Sequence, residues 1–343
     1  MKSVTTLPPT VSIVVPTWNA EKTVGPLLDS LRSLAYERYE VIIVNDGSTD
    51  GTKGVVQRYP VKLIDQTNRG ASAARDAGLR AASGEIIAFV DSDVTVSRDW
   101  LKHLVRPFAD PTVAATTGQT IFRRNEKCAA WMRSLDIARR YSQRREYTRL
   151  ANGPNSAFRR DVLLEVGGFN PQWYHAEDTE VSYRLVGRGY RIRYVPEAVV
   201  HHVPEGDWRD YLRKRYRDAK AFTRMLARYT RHAILEDDFV SLGMKVQPPL
   251  FLATLLLGIL SVFLFFTPWG PYALTGLVVL VLVAVALNVP EAFTVARASR
   301  RVAFFFEGMA LTLLRGFAWS LGLGVGMIQQ ATRTRRVGVE GTS

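Results

Sequence analysis

Gly84-Glu85-Ile86-Ile87-Ala88-Phe89-Val90-Asp91-Ser92-Asp93-Val94 is the stretch that decides the fold. Ile86 to Val90 is unbroken apolar sequence, too short for a helix and set off by Gly84, so it reads as a central strand buried on both faces. Asp91 and Asp93 stand at its carboxyl end. In open α/β sheets the ligand crevice lies at that edge, and two close carboxylates repel each other unless a cation joins them. A hard divalent ion, Mg or Mn, with a diphosphate completing its oxygen shell fits such a pair. Asp-x-Asp alone also occurs in solvated turns, so the surrounding chain has to decide.

Working outward, Val11 to Pro16, Val41 to Val44 and Val61 to Ile64 are further apolar runs, each followed by turn residues and a helix-compatible segment. That alternation predicts a mostly parallel, helix-flanked α/β sheet. Pro16-Thr17-Trp18-Asn19 closes the first run, Asn45-Asp46-Gly47-Ser48-Thr49-Asp50 closes the second, and Asn68 to Gly78 opens the helix before Ile86. These polar clusters should converge on one crevice. Neither Gly-x-x-x-x-Gly-Lys nor Gly-x-Gly-x-x-Gly occurs, so no glycine cradle holds a nucleotide and a metal has to do that work.

These segments resemble the nucleotide-sugar-binding half of the family 2 inverting glycosyltransferases, which share the GT-A fold. The resemblance continues through Asn152 to Arg160, Gly167-Gly168-Phe169, Glu177-Asp178-Thr179-Glu180 and Tyr194 to His202, in the family's order, and covers residues 10 to 205. It implies a nucleotide-diphosphate sugar donor and assigns roles to single residues. Asp91 and Asp93 become the diphosphate and metal site, with Asp93 the more direct ligand. Asp46 becomes the partner of the base's ring N–H, where a helix cap is the plain alternative, with Pro16, Thr17 and Asn19 in the same pocket and Arg75 near the phosphates. The pattern often has Asp where this chain has Asn45, which removes one charge. Asp178 becomes the base that takes a proton from the acceptor hydroxyl, although acidic residues also favour a helix's first turn. Adjacent strand residues point to opposite faces, so only one of His201 and His202 reaches the crevice, and the resemblance selects His202 as a metal or diphosphate ligand. Processive members carry Gln-x-x-Arg-Trp further on. Here that place reads Leu212-Arg213-Lys214-Arg215-Tyr216, which argues against a processive synthase while leaving Arg215 to reach the leaving diphosphate.

Length and composition agree. A chain of 343 residues holds one catalytic core and leaves about a hundred residues over. A single cysteine, Cys128, excludes an intramolecular disulfide and a cysteine metal cluster and fits a reducing compartment. No apolar core of a signal peptide precedes Pro16, so export is not expected.

The net charge of +13 raises nucleic acid as a partner. Nine Lys or Arg lie between Arg209 and Arg231, with Trp208, Tyr211, Leu212, Tyr216, Ala219, Phe222, Leu226 and Tyr229 at three- and four-residue intervals. That is a basic amphipathic helix. It leads into Pro249 to Phe266 and Tyr272 to Val289, each close to the length that crosses a hydrocarbon core, so an anionic membrane surface is its expected partner and nucleic acid is not. Thr267 to Pro271 is a short turn, predicting an antiparallel hairpin. Glu291 to Arg301 reads as the connection between the second and third stretches, and its Arg297, Arg300 and Arg301 put it, by the positive-inside bias, with the catalytic domain on the cytoplasmic side of a multi-pass protein. Residues 302–328 carry Glu307, Arg315 and several glycines and fit either a third spanning helix, packed on the other two through Gly316, Gly322, Gly324 and Gly326, or an interfacial or re-entrant segment.

The expected plan is a GT-A domain over 1–205, an interfacial helix and linker over 206–247, a membrane domain over 248–330 and a basic tail over 331–343. The expected activity is metal-dependent inverting transfer of a sugar to a lipid-linked acceptor, such as a polyprenyl phosphate or lipid-linked saccharide. A soluble or protein acceptor, with the helices as anchor only, and a non-catalytic nucleotide-sugar-binding scaffold are the rivals. Intact Asp93 and Asp178 count against the scaffold.

Overall fold

The computed structural model describes residues 7–173, 175–204, 206–229 and 242–340. Strands and helices alternate at first as β1 (Val11–Thr17), α1 (Val24–Arg32), β2 (Tyr39–Asp46), α2 (Thr52–Val56), β3 (Lys62–Gln66), α3 (Ala71–Ala81) and β4 (Ile86–Val90). Then come β5 (Val94–Val96), α4 (Trp100–Val105), β6 (Val113–Phe122), α5 (Cys128–Ser142), β7 (Tyr147–Thr148), β8 (Asn155–Arg159), α6 (Arg160–Glu165), α7 (Glu177–Gly187) and β9 (Arg191–His202). The described residues fall into two compact units, 1–123 with 141–203, and 124–140 with 204–343.

The first unit is one sheet in the order β3-β2-β1-β4-β8-β6-β9-β5, with β7 on β9. Strands β3, β2, β1 and β4 are parallel, as the alternation predicts. Beyond β4 the sheet is mixed, because β8 pairs antiparallel with both β4 and β6. Side-chain alternation along each strand feeds two cores. Val11, Ile13 and Val15 join Leu27, Leu28 and Leu31 of α1 on one face, while Val14, Ile42 and Val44 join Leu79 of α3 and Val181 and Leu185 of α7 on the other. Phe89 of β4 packs edge-on against Phe158 and Phe169 with ring centroids 5.8 and 4.9 Å away. Burying each such ring contributes about 1.5–3 kcal/mol. The chain runs outward from β1 to β3 and returns to β4 on the other side of β1. The carboxyl ends of β1 and β4 are therefore the switch point where such sheets open a crevice.

The second unit is helical. It holds most of α5, then α8 (Trp208–Arg228), α9 (Leu242–Leu264), α10 (Gly270–Ser299) and α11 (Ala303–Glu340). Asp207 starts α8 as an N-cap, its side chain accepting from the backbone N–H groups of Arg209 and Asp210 at 2.8 and 3.0 Å. Cys128, Ala129 and Met132 of α5 pack with Tyr211 of α8, Val295 of α10 and Phe304 and Leu311 of α11. Arg315 of α11, 6% exposed, bonds Glu291 of α10 through both terminal nitrogens at 2.6 and 2.7 Å and donates to the Tyr211 hydroxyl at 3.4 Å.

Three sequence expectations change here. The connection expected over Glu291 to Arg301 shrinks to its end, because α10 continues through Pro290 to Ser299 as one 30-residue helix and the chain turns only at Arg300, whose φ is +58°. At 1.5 Å per residue such a helix is about 45 Å long, more than a hydrocarbon core of about 30 Å. Among the described residues two helices are long and apolar enough to cross a membrane, Gly270–Ser299 and Ala303–Thr332. The second is the stretch whose sequence left spanning and interfacial readings open, whereas the first apolar run lies in α9, with an apolar length of only Leu250–Leu264. The glycines of α11 also divide their work. Gly316 lies against Phe251 of α9, but a Cβ on Gly322 would stand 2.5 Å from the Tyr216 carbonyl oxygen, and one on Gly326 would stand 2.1 Å from Thr223 Oγ1. Those two glycines seat α8, while Gly324 meets nothing within 4 Å.

Candidate active site

A crevice of about 470 Å³ opens at the switch point. Pro16, Thr17 and Trp18 line it from the end of β1, Asp46 from β2, Asn68 and Gly70 ahead of α3, Arg75 from α3, Asp91 and Asp93 beyond β4, and Glu177 from the start of α7. The predicted polar clusters thus converge. Asn19 is the exception. With φ at +48° it turns away from the lining, and its side chain accepts from the backbone of Thr49 at 2.8 Å, tying the β1 loop to the β2 loop.

Asp46 is buried and accepts from Gln66 Nε2 at 2.6 Å and from the backbone N–H groups of Arg69 and Gly70 at 2.8 Å each. Gly70 sits at φ +87°, a conformation that costs glycine nothing and lets α3 begin against the carboxylate. Asp46 therefore organises the loop before α3, and its two oxygens, with about four lone-pair sites, keep one acceptor position for a ring N–H. The departure at Asn45 has a local cause. Its Nδ2 donates to Asp65 Oδ1 at 2.8 Å, where a second carboxylate would be repelled.

Asp91 and Asp93 have different partners. Asp91 Oδ1 accepts from Arg75 Nη2 at 2.6 Å. Arg75, 4% exposed, also bonds Glu177, and a Cβ on Gly153 would stand 3.1 Å from Arg75 Nη2 and 3.4 Å from Asp178 Oδ2. One guanidinium thereby joins the Asp-x-Asp loop to the Glu-Asp pair, Glu177 lying 102 residues beyond Arg75 in the chain. Burial opposes its charge, but Glu177, Asp91 and Asp178 outweigh burial and hold the Arg75 pKa above its ordinary value. Burial pushes the Glu177 carboxyl up, Arg75 draws it partly back and Asp178 pushes it up again, leaving it raised.

Asp178 is oriented by the backbone. Its Oδ2 accepts from Gly153 N–H at 2.8 Å and its Oδ1 from Thr179 N–H at 2.7 Å. Ala176, just before the pair, is held at φ +62°, a left-handed conformation unusual for a residue with a side chain. The Arg184 guanidinium fixes α7 from behind, bonding Glu180 and reaching the carbonyls of Val166 and Gly168, which ties the Gly167-Gly168 loop to the Glu-Asp helix.

Antiparallel pairing of β5 with β9 sets Val94 opposite His202 and brings His202 Nε2 to 3.3 Å from Asp93 Oδ1. His202 stacks on Phe122 with ring centroids 4.3 Å apart, and its Nδ1 lies 2.9 Å from the Val203 carbonyl oxygen. A carbonyl only accepts, so Nδ1 carries the proton, and in the neutral ring the Nε2 lone pair faces the Asp93 carboxylate. Two facing donors of electron pairs, one nitrogen and one oxygen, suit a divalent cation shared between them. Among the described residues no group of three or more His, Cys, Asp and Glu side chains is placed to hold a metal, so such an ion needs oxygens from a ligand or water to complete its shell. His201, on the opposite face, has its pKa lowered by burial and by Arg123. Arg215 belongs to the second unit, where it is buried and 3.0 Å from Asp218.

Residues 12–167 match Glycosyl transferase family 2. Over those residues the chain carries a family 2 glycosyltransferase domain, and apolar helices follow its sheet. The chain is 32% identical over 219 residues to the pre-mycofactocin glycosyltransferase of Mycobacterium tuberculosis, covering 60% of this chain and 45% of that protein. It is 28% identical over 221 residues to the poly-beta-1,6-N-acetyl-D-glucosamine synthase of Staphylococcus aureus, covering 59% and 53%. The chain thus spans about half the length of the curated relatives it matches. A mannosyltransferase from Pyrobaculum calidifontis, in complex with GDP-Man and Mn2+, superposes with a TM-score of 0.60 at 26% identity, covering 93% of this chain and 87% of that one.

Among site residues of this glycosyltransferase domain that sequence reasoning left without a role, Trp18, Asn68 and Glu177 line the crevice, and Gly153 meets both Arg75 and Asp178. The signal for Glu177 was its place beside Asp178. Gly153 carries none beyond lying between Asn152 and Pro154, because a close backbone approach is invisible in one sequence.

Proposed function

We propose that this protein is a membrane-anchored, inverting glycosyltransferase that moves a sugar from a nucleotide-diphosphate sugar to a lipid-linked acceptor on the cytoplasmic face, as in the building of cell-envelope glycans. The observation that carries it is the Arg75 junction, which joins Asp91 to Glu177 at one crevice, with Asp178 the next residue in the chain. Asp178, held by two backbone N–H groups, takes the proton from the acceptor hydroxyl as that oxygen attacks the anomeric carbon and the diphosphate departs from the opposite face. Arg75 offsets the mutual repulsion of three carboxylates, which keeps that base positioned before the acceptor arrives. Asp46 takes the ring N–H of the base, with Pro16 and Thr17 beside it. A divalent cation, held by Asp93 and His202 with Asp91 nearby, would neutralise charge on the leaving diphosphate. In this reading Arg215 also reaches that diphosphate, and the domain plan is the one read from the sequence, with α5 docked in the helical unit.

The lipid acceptor rests on the second unit. The more hydrophobic of its two long apolar helices, α10, leaves Val278, Val279, Leu282 and Leu287 exposed, unlike the core helix of a soluble protein. A basic helix that exposes Arg209 and Arg213 suits an anionic leaflet. The test is the purified full chain with a panel of nucleotide sugars, Mg or Mn, and either a polyprenyl phosphate or a soluble sugar. Nucleoside diphosphate should appear with one donor, stop with chelator and rise with the polyprenyl phosphate. Release with no donor sinks the reading, and a response to the soluble sugar alone replaces the acceptor. Carbonate washing should leave the chain in membranes, and its release there would overturn the anchor.

A further inference from the structure

The sheet has a second edge with chemistry of its own. At the amino-terminal ends of β1 and β4, opposite the crevice, Pro8, Pro9, Tyr36, Gly84 and Phe108 wall a cavity of about 970 Å³. Volumes of about 300–1,000 Å³ accept small organic ligands. Its polar lining is unbalanced: Lys102, His103, Arg106, Arg159 and Arg160 face Glu85 and Asp161.

The charged groups differ in what already occupies them. Arg159 donates to the carbonyls of Val113, Phe108 and Asp110 at 2.9, 2.7 and 3.0 Å, so it is structural. Glu85 accepts from the backbone and hydroxyl of Thr10 at 3.1 Å, and Asp161 from the backbone of Val162 at 2.8 Å. Lys102, Arg106 and Arg160, in contrast, make no ion pair among the described residues, and Arg160 Nε is shielded from solvent without a hydrogen-bond partner. The Arg160 backbone is pinned by its N–H to the Glu85 carbonyl at 3.0 Å, which fixes the root of that side chain at the cavity. Like charges gathered around one concave face repel one another until an anion joins them.

We propose that this cavity binds a compact polyanion, a soluble molecule carrying a di- or triphosphate group, through Lys102, Arg106 and Arg160, with the His103 ring as a further contact. The site is separate from the donor crevice and does not depend on the reading of that crevice. Multidentate Arg and Lys contacts to phosphate oxygens supply the recognition, and the walls of proline and aromatic side chains limit size.

The test is equilibrium binding of inorganic tripolyphosphate to the full-length, detergent-solubilised chain at low salt with chelator present, which removes metal-assisted binding at the crevice. One saturable site is expected, weakening as salt screens the contacts. Lys102→Gln/Arg106→Gln/Arg160→Gln should weaken it at least tenfold, while Asp93→Ala and the α8 variant Arg213→Gln/Lys214→Gln should stay within twofold of the parent. Because Lys102 and Arg106 are exposed, Lys102→Gln/Arg106→Gln keeps the fold if the triple variant does not, and should still cost at least fivefold. Absence of saturable binding, an unaffected Lys102→Gln/Arg106→Gln chain, or an equal loss in the α8 variant would each overturn the proposal, the last by showing charge attraction without a site.

Discussion

Arg75 and Arg315 are both buried, 4% and 6% exposed, and both are bonded to carboxylates brought from distant sequence. Arg75 sits where strand ends diverge, and its partner Asp91 keeps 29% of its side chain exposed within the crevice lining. Arg315 sits among helix flanks, bonded to Glu291 and to the phenol of Tyr211. Burying a guanidinium is costly in both places and is offset only by near-ideal bonding. What separates a site from a structural pin is therefore access. Arg75 joins two carboxylates, Asp91 and Glu177, that line the open crevice, whereas Arg315 fastens α8, α10 and α11 to one another.

The largest effect should come from the carboxylate that this contrast marks as chemical. Asp178→Asn keeps the shape and donor binding but cannot accept a proton, so transfer should fall by about 10²–10⁴-fold; a rate within a few-fold of the parent removes Asp178 as the base. Next, Arg75→Met leaves Asp91, Glu177 and Asp178 to repel one another. Donor affinity and transfer should drop by at least about tenfold, with the fold kept, as one unpaired charge cluster implies, and isothermal titration of the donor against circular dichroism of the same sample separates the two. Arg315→Met should do the opposite. It strands Glu291, which is one-third exposed, so the loss of stability is about 2–3 kcal/mol rather than that of a fully buried pair, and Arg315→Met/Glu291→Met should recover most of it. If Arg315→Met instead raises the KM for donor and leaves thermal stability alone, the contrast between site and pin collapses. The smallest change is Ala176→Gly. Relief of the left-handed strain and the added chain entropy nearly cancel, so stability should move by less than about 1 kcal/mol, while a few-fold fall in transfer would show that the strained turn helps aim Asp178.

Much of this contrast was legible in the sequence, and for definable reasons. The strands β1 to β4 announce themselves because each is a short apolar run bounded by turn residues, and the crevice follows from where those runs end. Asp46, Asp91, Asp93 and His202 fall where strand ends put them. Asn19 was misplaced because a pattern fixes its position but not the left-handed turn that swings its side chain toward Thr49. The extent of α10 was missed because Pro290 and a charged run read as a break, although the helix continues and Glu291 finds Arg315. The partner of Gly322 and Gly326 in α11 was equally hidden: small residues at one helical spacing show that something packs closely, and only coordinates show that it is α8.

The chain's route between the two units has a consequence in time. Residues 124–140 belong to the helical unit yet are made before β7, β8, α7 and β9. During synthesis at about 5–20 residues per second, Cys128, Ala129 and Met132 must wait for Tyr211, Val295, Phe304 and Leu311, the last of them 183 residues after Cys128, before their apolar face is covered. Nascent catalytic sheet and unfinished helical unit are thus committed to one assembly. A gene cut after residue 203 would release a chain with α5 bare, so expression of a free catalytic half should end in aggregates unless α5 is redesigned to be polar.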